Sequence, residues 1–242
     1  MTAMLASVRS EAEAQIALDG GADIVDFKDP DQGALGALAA DVIVAGARRV
    51  AGRVPTSATA GDWPLEPAAL CAAVDRIGAT GVDFVKLGLL PGAPLSGCIE
   101  ALAPLADRYR LVAVFFADRG VPLDALRQLQ RAGFAGAMID TFEKSRGSLR
   151  QHLPDSELRV FVGLGRQLGL VTGLAGSLRI EDVAPLARLA PDLLGFRGAL
   201  CEPGGRAQPL SLERTRAVRA ALGEAGRLPA QGHAELAARP PP

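Results

Sequence analysis

One pattern recurs along this chain: an amphipathic segment, a glycine near its end, and then a short apolar run. Three clear copies span 18–24, 79–84 and 131–137, and a looser copy spans 189–193. Glycine just past a helix allows the left-handed conformation that ends it. Short apolar runs between helices are typical of parallel strands that are covered on both faces. The pattern therefore predicts helices that alternate with buried parallel strands.

Eight apolar runs predict strands at 4–8, 23–28, 54–59, 83–88, 110–116, 136–141, 171–175 and 193–197. Helical patterns lie between most of them, for example at 10–18, 67–77, 123–132 and 180–189. Eight such units in 242 residues predict an α/β fold, a single-domain (β/α)8 TIM barrel over 1–225, followed by a flexible tail at 226–242. An open doubly wound sheet is the alternative, but 7–11 lacks the glycines of a phosphate fingerprint after the first strand.

Composition excludes several classes of function. A net charge of −1 gives no electrostatic reason to bind nucleic acid or an anionic membrane. No apolar run reaches the roughly 20 residues that cross a bilayer, and the first residues do not resemble a signal peptide. Three cysteines without CxxC spacing indicate a reduced cytoplasm, and two histidines argue against a metal site. We therefore expect a cytoplasmic protein without metal or cofactor that acts on a small molecule, with homo-oligomerisation left open.

Lysine is rare here: only Lys28, Lys86 and Lys144 occur among 26 basic side chains, and 58 residues separate each from the next. They fall at or just after the second, fourth and sixth predicted strands. Alternate strands of a barrel supply the same interior layers, and the carboxyl ends of the strands carry the active site. Coding bias could leave a few lysines at random, but random lysines would fall mostly on helix surfaces. The spacing predicts that the three amines converge at the mouth of the barrel.

Two carboxylates share this predicted site. Alternation along a strand places Asp26 on the same face as Lys28, and Asp140 on the same face as Met138. Amines that crowd each other in a partly desolvated site have a lowered pKa and attack aldehydes and ketones, whereas nearby carboxylates act in the opposite direction. Lys28 and Lys86 are the candidates for imine-forming nucleophile and proton shuttle. Structural salt bridges are the alternative, although inward-facing charge without a ligand is costly.

Small residues end the last two predicted strands. Gly176 and Ser177 follow the seventh strand, and Arg197 and Gly198 follow the eighth. The loops after these strands commonly bind phosphate in barrels, because backbone N–H groups can approach an anion there. Arginine adds a planar donor that suits phosphate. These four residues therefore predict a phosphate site.

A third polar segment follows the third predicted strand. Ser57, Thr59 and Asp62 could hold substrate hydroxyls or water. A polar loop that caps the next helix explains the same residues equally well.

Six segments together resemble the (5-formylfuran-3-yl)methyl phosphate synthase family, from about Met4 to Leu222. They are DIVDFKDP at 23–30, SATAGD at 57–62, DFVKLGL at 83–89, AMIDTFEK at 137–144, LAGS at 174–177 and GFRGALC at 195–201. The resemblance implies a TIM-barrel lyase that condenses two molecules of glyceraldehyde 3-phosphate into a furan aldehyde phosphate. Phosphate and water are released, and the product enters methanofuran biosynthesis.

By this resemblance Lys28 is the Schiff-base lysine and Lys86 the proton acceptor. Asp26, Asp140 and Lys144 match positions of the same pocket in the family, and 176–177 and 197–198 match its phosphate-facing loops. Two segments depart from the family pattern: 114–118 is bulkier, and 201–206 is a looser match. A class I aldolase-like enzyme that does not close a furan, and a barrel that binds phosphosugars without catalysis, are the alternatives.

Overall fold

The computed structural model describes residues 1–92 and 94–226 and shows eight parallel strands closed into a barrel in sequence order. The strands are β1 Ala3–Val8, β2 Ile24–Phe27, β3 Thr56–Thr59, β4 Phe84–Gly88, β5 Leu111–Phe116, β6 Gly136–Asp140, β7 Val171–Leu174 and β8 Leu193–Phe196. β1 pairs with both β2 and β8, which closes the sheet. The predicted α/β class and TIM-barrel architecture are confirmed.

Helices cover the outside of the barrel. They are α1 Glu11–Asp19, α2 Ala40–Val50, α3 Pro67–Gly78, α4 Leu95–Ala106, α5 Ala125–Arg131, α6 Leu149–His152, α7 Asp155–Gln167, α8 Ile180–Ala187 and α9 Leu212–Ala225. Two short 3₁₀ helices, Lys144–Arg146 and Gly198–Leu200, follow β6 and β8. Both lie in the loops at the carboxyl ends of the strands, where the predicted site lies.

Two apolar layers divide the core. The larger layer fills the space between strands and helices, with Phe27, Phe115 and Phe161 among its largest side chains. A smaller cluster fills the inside of the barrel and includes Phe84 and Met138. The barrel interior is therefore apolar below its mouth. The polar groups at the mouth pack directly on this closely packed apolar cluster, which excludes water.

The aspartates that precede three strands explain part of the recurring pattern. Asp23, Asp83 and Asp192 each stand directly before a strand and accept a hydrogen bond from a backbone N–H of a neighbouring strand, over 2.6–2.7 Å. Thr56 and Thr172 add hydroxyl donors to two of these carboxylates. These contacts satisfy N–H groups at the amino ends of the strands, opposite the mouth.

Strand limits differ from the predictions by one or two residues. β3 begins at Thr56 rather than at 54, because Pro55 has no N–H to give to the ladder. β2 begins at Ile24, directly after Asp23, whose carboxylate accepts the Met4 N–H of β1. The predicted tail at 226–242 lies outside the described residues, apart from Gly226.

A buried ion pair fastens α1 to the seam between β1 and β8. Both side chains, Glu13 of α1 and Arg197 after β8, are more than nine-tenths buried, and Arg197 donates two hydrogen bonds to the Glu13 carboxylate. The Leu210 N–H adds a third at 3.3 Å. Arg197 also donates to the Ser7 carbonyl of β1 at 3.2 Å. One charge pair thus joins β1, β8, α1 and the segment before α9.

Removing the Glu13 carboxylate should destabilise the fold strongly. Glu13→Ala leaves Arg197 buried without its counter-ion, and losing one partner of a buried pair typically costs about 3–5 kcal/mol. Glu11→Ala is the matched control, because Glu11 pairs with Arg49 on the exposed face of the same helix, where such pairs contribute about 0–1 kcal/mol. Urea unfolding measures both variants. Equal losses in the two would contradict this account of the Glu13–Arg197 pair.

Candidate active site

A cavity of about 650 Å³ opens at the carboxyl ends of the strands. Small-molecule sites usually measure about 300–1,000 Å³. Among the described residues, seven cationic side chains line the cavity against two acidic ones, so an anionic ligand suits it. The cations are Lys28, Lys86, Lys144, Arg179, Arg197, Arg206 and Arg214, and the acids are Asp140 and Glu181.

Asp26 holds Lys86 at the floor of this cavity. The Asp26 carboxylate is completely buried, and its Oδ2 lies 2.8 Å from Lys86 Nζ. Ser7 and Ser57 are its register partners on β1 and β3, so all three side chains point into the barrel. Ser7 Oγ donates to Oδ2 at 2.8 Å, and Ser57 Oγ donates to Oδ1 at 2.6 Å. Both oxygens of Asp26 are therefore occupied, which fixes the Lys86 amine in one position.

Asp140, the last residue of β6, is shared by two amines. Its Oδ2 lies 3.5 Å from Lys28 Nζ, and its Oδ1 accepts hydrogen bonds from Lys144 Nζ and, at 2.7 Å, from the Thr141 N–H. Burial alone would raise the pKa of Asp140. The Lys144 and Lys28 cations and the two hydrogen bonds outweigh burial and hold the pKa of this carboxyl well below its usual range. Asp140 is thus a carboxylate at neutral pH.

Lys28 follows β2 and is more than nine-tenths buried. Burial lowers the pKa of its amine from 10.5 to about 8, Asp140 opposes this shift, and the Lys144 and Lys86 cations add to it. At pH 7 about one Lys28 amine in ten is then unprotonated, against about one in three thousand for an ordinary lysine. A neutral amine is the form that attacks a carbonyl carbon.

Lys144 lies in the 3₁₀ helix after β6. Burial lowers the pKa of Lys144, against the opposing charge of Asp140. The predicted convergence is confirmed: the three lysines line one cavity, where they form two ion-pair groups, Lys86–Asp26 and Lys28–Asp140–Lys144. The two groups lie close together, since the charges of Lys86 and Asp26 act on the Lys28 amine. The catalytic roles assigned to these five residues stay predictions.

Backbone N–H groups form a cradle on the β7–β8 side of the cavity. Gly176 has φ +115°, and a Cβ there would lie 2.9 Å from the Thr141 side chain, so only glycine fits. Ser177 next to it also has a positive φ, +48°. In the part of the chain that the structure describes, the N–H groups of Gly176, Ser177, Gly198 and Ala199 donate to no acceptor. Unpaired N–H groups at a glycine turn and a helix start are typical of anion sites.

Arg197 lies at the predicted position but is already engaged. Its five N–H donors go to Glu13 and to the carbonyls of Ser7, Arg206 and Gln208. Phosphate contact through this side chain would require these bonds to break. In this structure Arg197 holds the segment after β8 in place through the Arg206 and Gln208 carbonyls. Gly176, Ser177 and Gly198 line the cavity.

The third predicted group makes internal contacts instead of lining the main cavity. Ser57 donates to Asp26, as described above. Thr59 is completely buried and donates to the Gly36 carbonyl at 2.7 Å. Asp62 accepts from the Leu35 N–H at 3.1 Å. Thr59 and Asp62 thus shape the loop after β2, which matches the alternative of a structural polar segment. Substrate contact by any of the three stays a prediction.

The bulky segment 114–118, which includes the last three residues of β5, narrows one side of the mouth. Phe116 is buried and packs edge-to-face on Phe142, with ring centroids 5.2 Å apart. It also lies close to Gly88, where a Cβ would approach its ring to 3.1 Å. From β5 only Val114 lines the cavity among the described residues. The open space is therefore displaced towards β7, β8 and β1.

Sequence reasoning missed Arg206, which reaches over the mouth from the segment between β8 and α9. Its Nη2 donates to the carbonyls of Pro30 and Gly33 in the loop after β2, at 2.6 and 2.9 Å. Arg206 stands ten residues past β8, beyond any strand periodicity. The only signal in the sequence is the preceding Gly204-Gly205 pair, which marks a turn.

Neither a metal cluster nor a membrane helix appears in residues 1–92 and 94–226. No group of three or more His, Cys, Asp or Glu side chains in these ranges is placed to hold a metal ion. No helix in them is both long enough and apolar enough to span a bilayer. The expectation that the protein needs neither metal nor cofactor stays a prediction.

The fold and the site together define a class of protein: a TIM barrel whose cavity is lined mainly by cations and includes a buried lysine. Residues 4–219 match the family model described as 4-HFC-P synthase, and the chain belongs to this family. A Methanosarcina barkeri protein named (5-formylfuran-3-yl)methyl phosphate synthase is 34% identical over 233 residues, covering 91% of this chain and 96% of its own. The Methanopyrus kandleri protein of the same name is 36% identical, covering 84% and 91%. A Methylorubrum extorquens protein, provisionally named for the same activity, is 45% identical over 207 residues, or 86% of each chain.

Known structures resemble this one in fold alone. Phosphoribosyl anthranilate isomerase from Thermus thermophilus has a TM-score of 0.65 at 17% identity, covering 93% of this chain and 99% of its own. 3-Hexulose-6-phosphate synthase from Salmonella typhimurium has a TM-score of 0.64 at 16% identity, covering 93% and 100%. At such identities the similarity supports the barrel and says nothing of the reaction.

The Lys28 amine should titrate near pH 8 in the folded protein. With only three lysines, reductive methylation with ¹³C-formaldehyde gives few NMR signals, which Lys→Arg variants assign. The folded Lys28 signal should shift with a midpoint near 8, because burial disfavours the cation. In urea the same signal should move to a midpoint near the ordinary value of about 10.4. A midpoint near 10 in the folded protein would contradict the lowered pKa.

Proposed function

We propose that this protein condenses two molecules of glyceraldehyde 3-phosphate to (5-formylfuran-3-yl)methyl phosphate. The balance is two triose phosphates in, with one furan aldehyde phosphate, one phosphate and two waters out. The observation that carries the proposal is Lys28: a buried amine with a pKa of about 8 in a cavity lined mainly by cations. Membership of the 4-HFC-P synthase family supports the same reaction.

Lys28 is the proposed nucleophile. Its neutral amine attacks the carbonyl carbon of one triose phosphate, and loss of water gives an imine. Protonation of the imine withdraws electrons from the adjacent carbon, which makes the C–H bond there more acidic. Asp140, 3.5 Å from Nζ and held as a carboxylate, stabilises the cationic iminium.

Lys86 is the proposed proton acceptor. Asp26, Ser7 and Ser57 fix its amine at the cavity floor, and its side chain is buried on the same barrel interior as Lys28. The neutral form of Lys86 takes the proton, and the resulting enamine carbon attacks the aldehyde carbon of the second triose phosphate. Loss of one phosphate and two waters closes the ring and makes it aromatic, and hydrolysis of the imine frees the Lys28 amine. The stability of the aromatic product drives the reaction forward.

The cradle at Gly176, Ser177, Gly198 and Ala199 is the proposed site for one substrate phosphate. Its unpaired N–H groups belong to the backbone, so binding phosphate there orders no flexible side chain. A phosphate at this place would also neutralise part of the positive charge of the cavity. The furan aldehyde phosphate would serve methanofuran biosynthesis, the role implied by the names of the curated relatives. A metal-independent, Schiff-base lyase is therefore the activity that we assign.

Purified protein with glyceraldehyde 3-phosphate should release phosphate and form a product that absorbs in the near ultraviolet. Lys28→Arg keeps the charge but removes the deprotonatable amine, so both signals should fall to background. Lys144→Arg is the matched control, because at 144 the proposal needs only a cation beside Asp140, and it should keep measurable turnover. Lys86→Met should lower turnover by about 10²–10⁴-fold, the usual value of general base catalysis.

Full phosphate release by Lys28→Arg would contradict the proposed role of Lys28. Carbon–carbon bond formation without near-ultraviolet absorbance or phosphate release would favour an aldolase-like enzyme. Tight triose phosphate binding with no reaction at all would favour the non-catalytic barrel.

A further inference from the structure

We infer that Arg206 forms a second phosphate subsite, separate from the N–H cradle, on the β2 side of the mouth. The inference rests on the proposed function, since that reaction needs two triose phosphates in one cavity. The ligand would be the phosphomonoester of the second triose. Lys28 would then lie between two anchored phosphates.

The segment that carries Arg206 is fixed at its base. Cys201 and Leu210 form an antiparallel bridge, and the Glu202 N–H donates to the Pro209 carbonyl at 2.9 Å. The Arg206 carbonyl accepts from Nε of Arg197 at 2.9 Å. The backbone of Arg206 is thus tied to the buried pair that closes the barrel, and its side chain starts from a rigid base.

The guanidinium group is held through one terminal nitrogen, and its other two nitrogens are free to donate. Nη2 alone makes the two bonds to the loop after β2. In the described part of the chain, the Nε and Nη1 hydrogens of Arg206 donate to no acceptor, and Arg206 forms no ion pair within 4 Å. The side chain lines the cavity. The Nη1 group therefore keeps both of its N–H donors, and a charged donor of this kind forms short, strong hydrogen bonds to phosphate oxygens.

The contrast with Arg197 makes Arg206 the better phosphate ligand. All five donors of Arg197 are taken and its charge is balanced by Glu13. Arg206 is half-buried without a paired carboxylate, and its positive charge acts on the site, since it adds to the effect of burial in lowering the pKa of Lys144. Burial disfavours the Arg206 cation, and Asp140, Asp31 and Asp62 oppose this effect only from beyond ion-pair distance. A phosphate dianion in direct contact would offset more of the cost of burial.

Two anion sites also fit the shape of the cavity. The cradle belongs to the ends of β7 and β8, whereas Arg206 reaches the loop that starts directly after Lys28. β1 lies between these two places around the barrel. The Lys28 amine is therefore accessible from a cavity with donors on both sides of it.

Calorimetry with glycerol 3-phosphate tests the subsite apart from the chemistry, because this alcohol has no carbonyl and cannot form an imine. Wild-type protein should bind two equivalents. Arg206→Gln should bind the second about 10- to 100-fold more weakly, the value of a lost charge-assisted contact. Arg206→Lys should weaken it less. Arg119→Gln is the control, since Arg119 pairs with Glu143 at the same end of the barrel but does not line the cavity; it should bind two equivalents normally.

One equivalent in the wild type, or two unchanged equivalents in Arg206→Gln, would overturn the inference. Loss of thermal stability in Arg206→Gln with both equivalents intact would also overturn it, because Arg206 would then only join two loops. The same protein tests the proposed function separately. If wild-type protein binds two equivalents of glycerol 3-phosphate yet releases no phosphate from glyceraldehyde 3-phosphate, the proposed reaction is wrong and the second subsite is still supported.

Discussion

Competition among buried amines for two carboxylates is the interaction on which the site depends. A fully buried charge is costly unless it is paired. Asp26 is committed to Lys86 and two serines, and Asp140 makes its shortest contact with Lys144. Lys28 is left with one contact at 3.5 Å. It is thus the amine whose cation gains least from its surroundings, which is the condition for a nucleophilic lysine.

The barrel supplies this arrangement through its geometry. Parallel neighbours in register bring Ser7 and Ser57 to either side of Asp26, and the apolar interior below them keeps water from solvating the ion pairs. The Glu13–Arg197 pair holds the β1–β8 seam, and the segment that carries Gly198, Ala199 and Arg206 follows β8. Stability and chemistry are connected here, because the same buried arginine that closes the fold positions this segment of the site.

Much of this could be predicted from the sequence, for identifiable reasons. Apolar runs and helix-ending glycines are local features of the sequence, so they predict the eight strands and the barrel. The rarity and spacing of lysine predict Lys28, Lys86 and Lys144 at the mouth, because each lies within or after an even-numbered strand, near its carboxyl end. Side-chain partners could not be predicted in this way, because they depend on residues that are distant in the chain. The sequence around Arg197 does not show that its side chain binds Glu13, which lies 184 residues away in the chain.

Similar limits apply to the loops. Hydroxyls and carboxylates after a strand suit substrate contact and a structural loop equally well, so the sequence could not choose between the two for Thr59 and Asp62. In the structure both side chains bond to backbone groups of the loop after β2. Arg206 lies in an irregular segment, where no periodicity relates sequence position to direction. Its contact with the loop after β2 spans more than 170 residues and is visible only once the barrel is closed.

The site of imine formation is the most direct test of the claim that Lys28 is the least stabilised cation. Protein incubated with glyceraldehyde 3-phosphate and borohydride would be digested, and the peptides that carry each of the three lysines would be weighed. We expect the reduced triose phosphate on Lys28 alone. An adduct on Lys86 or Lys144 in place of Lys28, or no adduct while furan product still forms, would contradict the account.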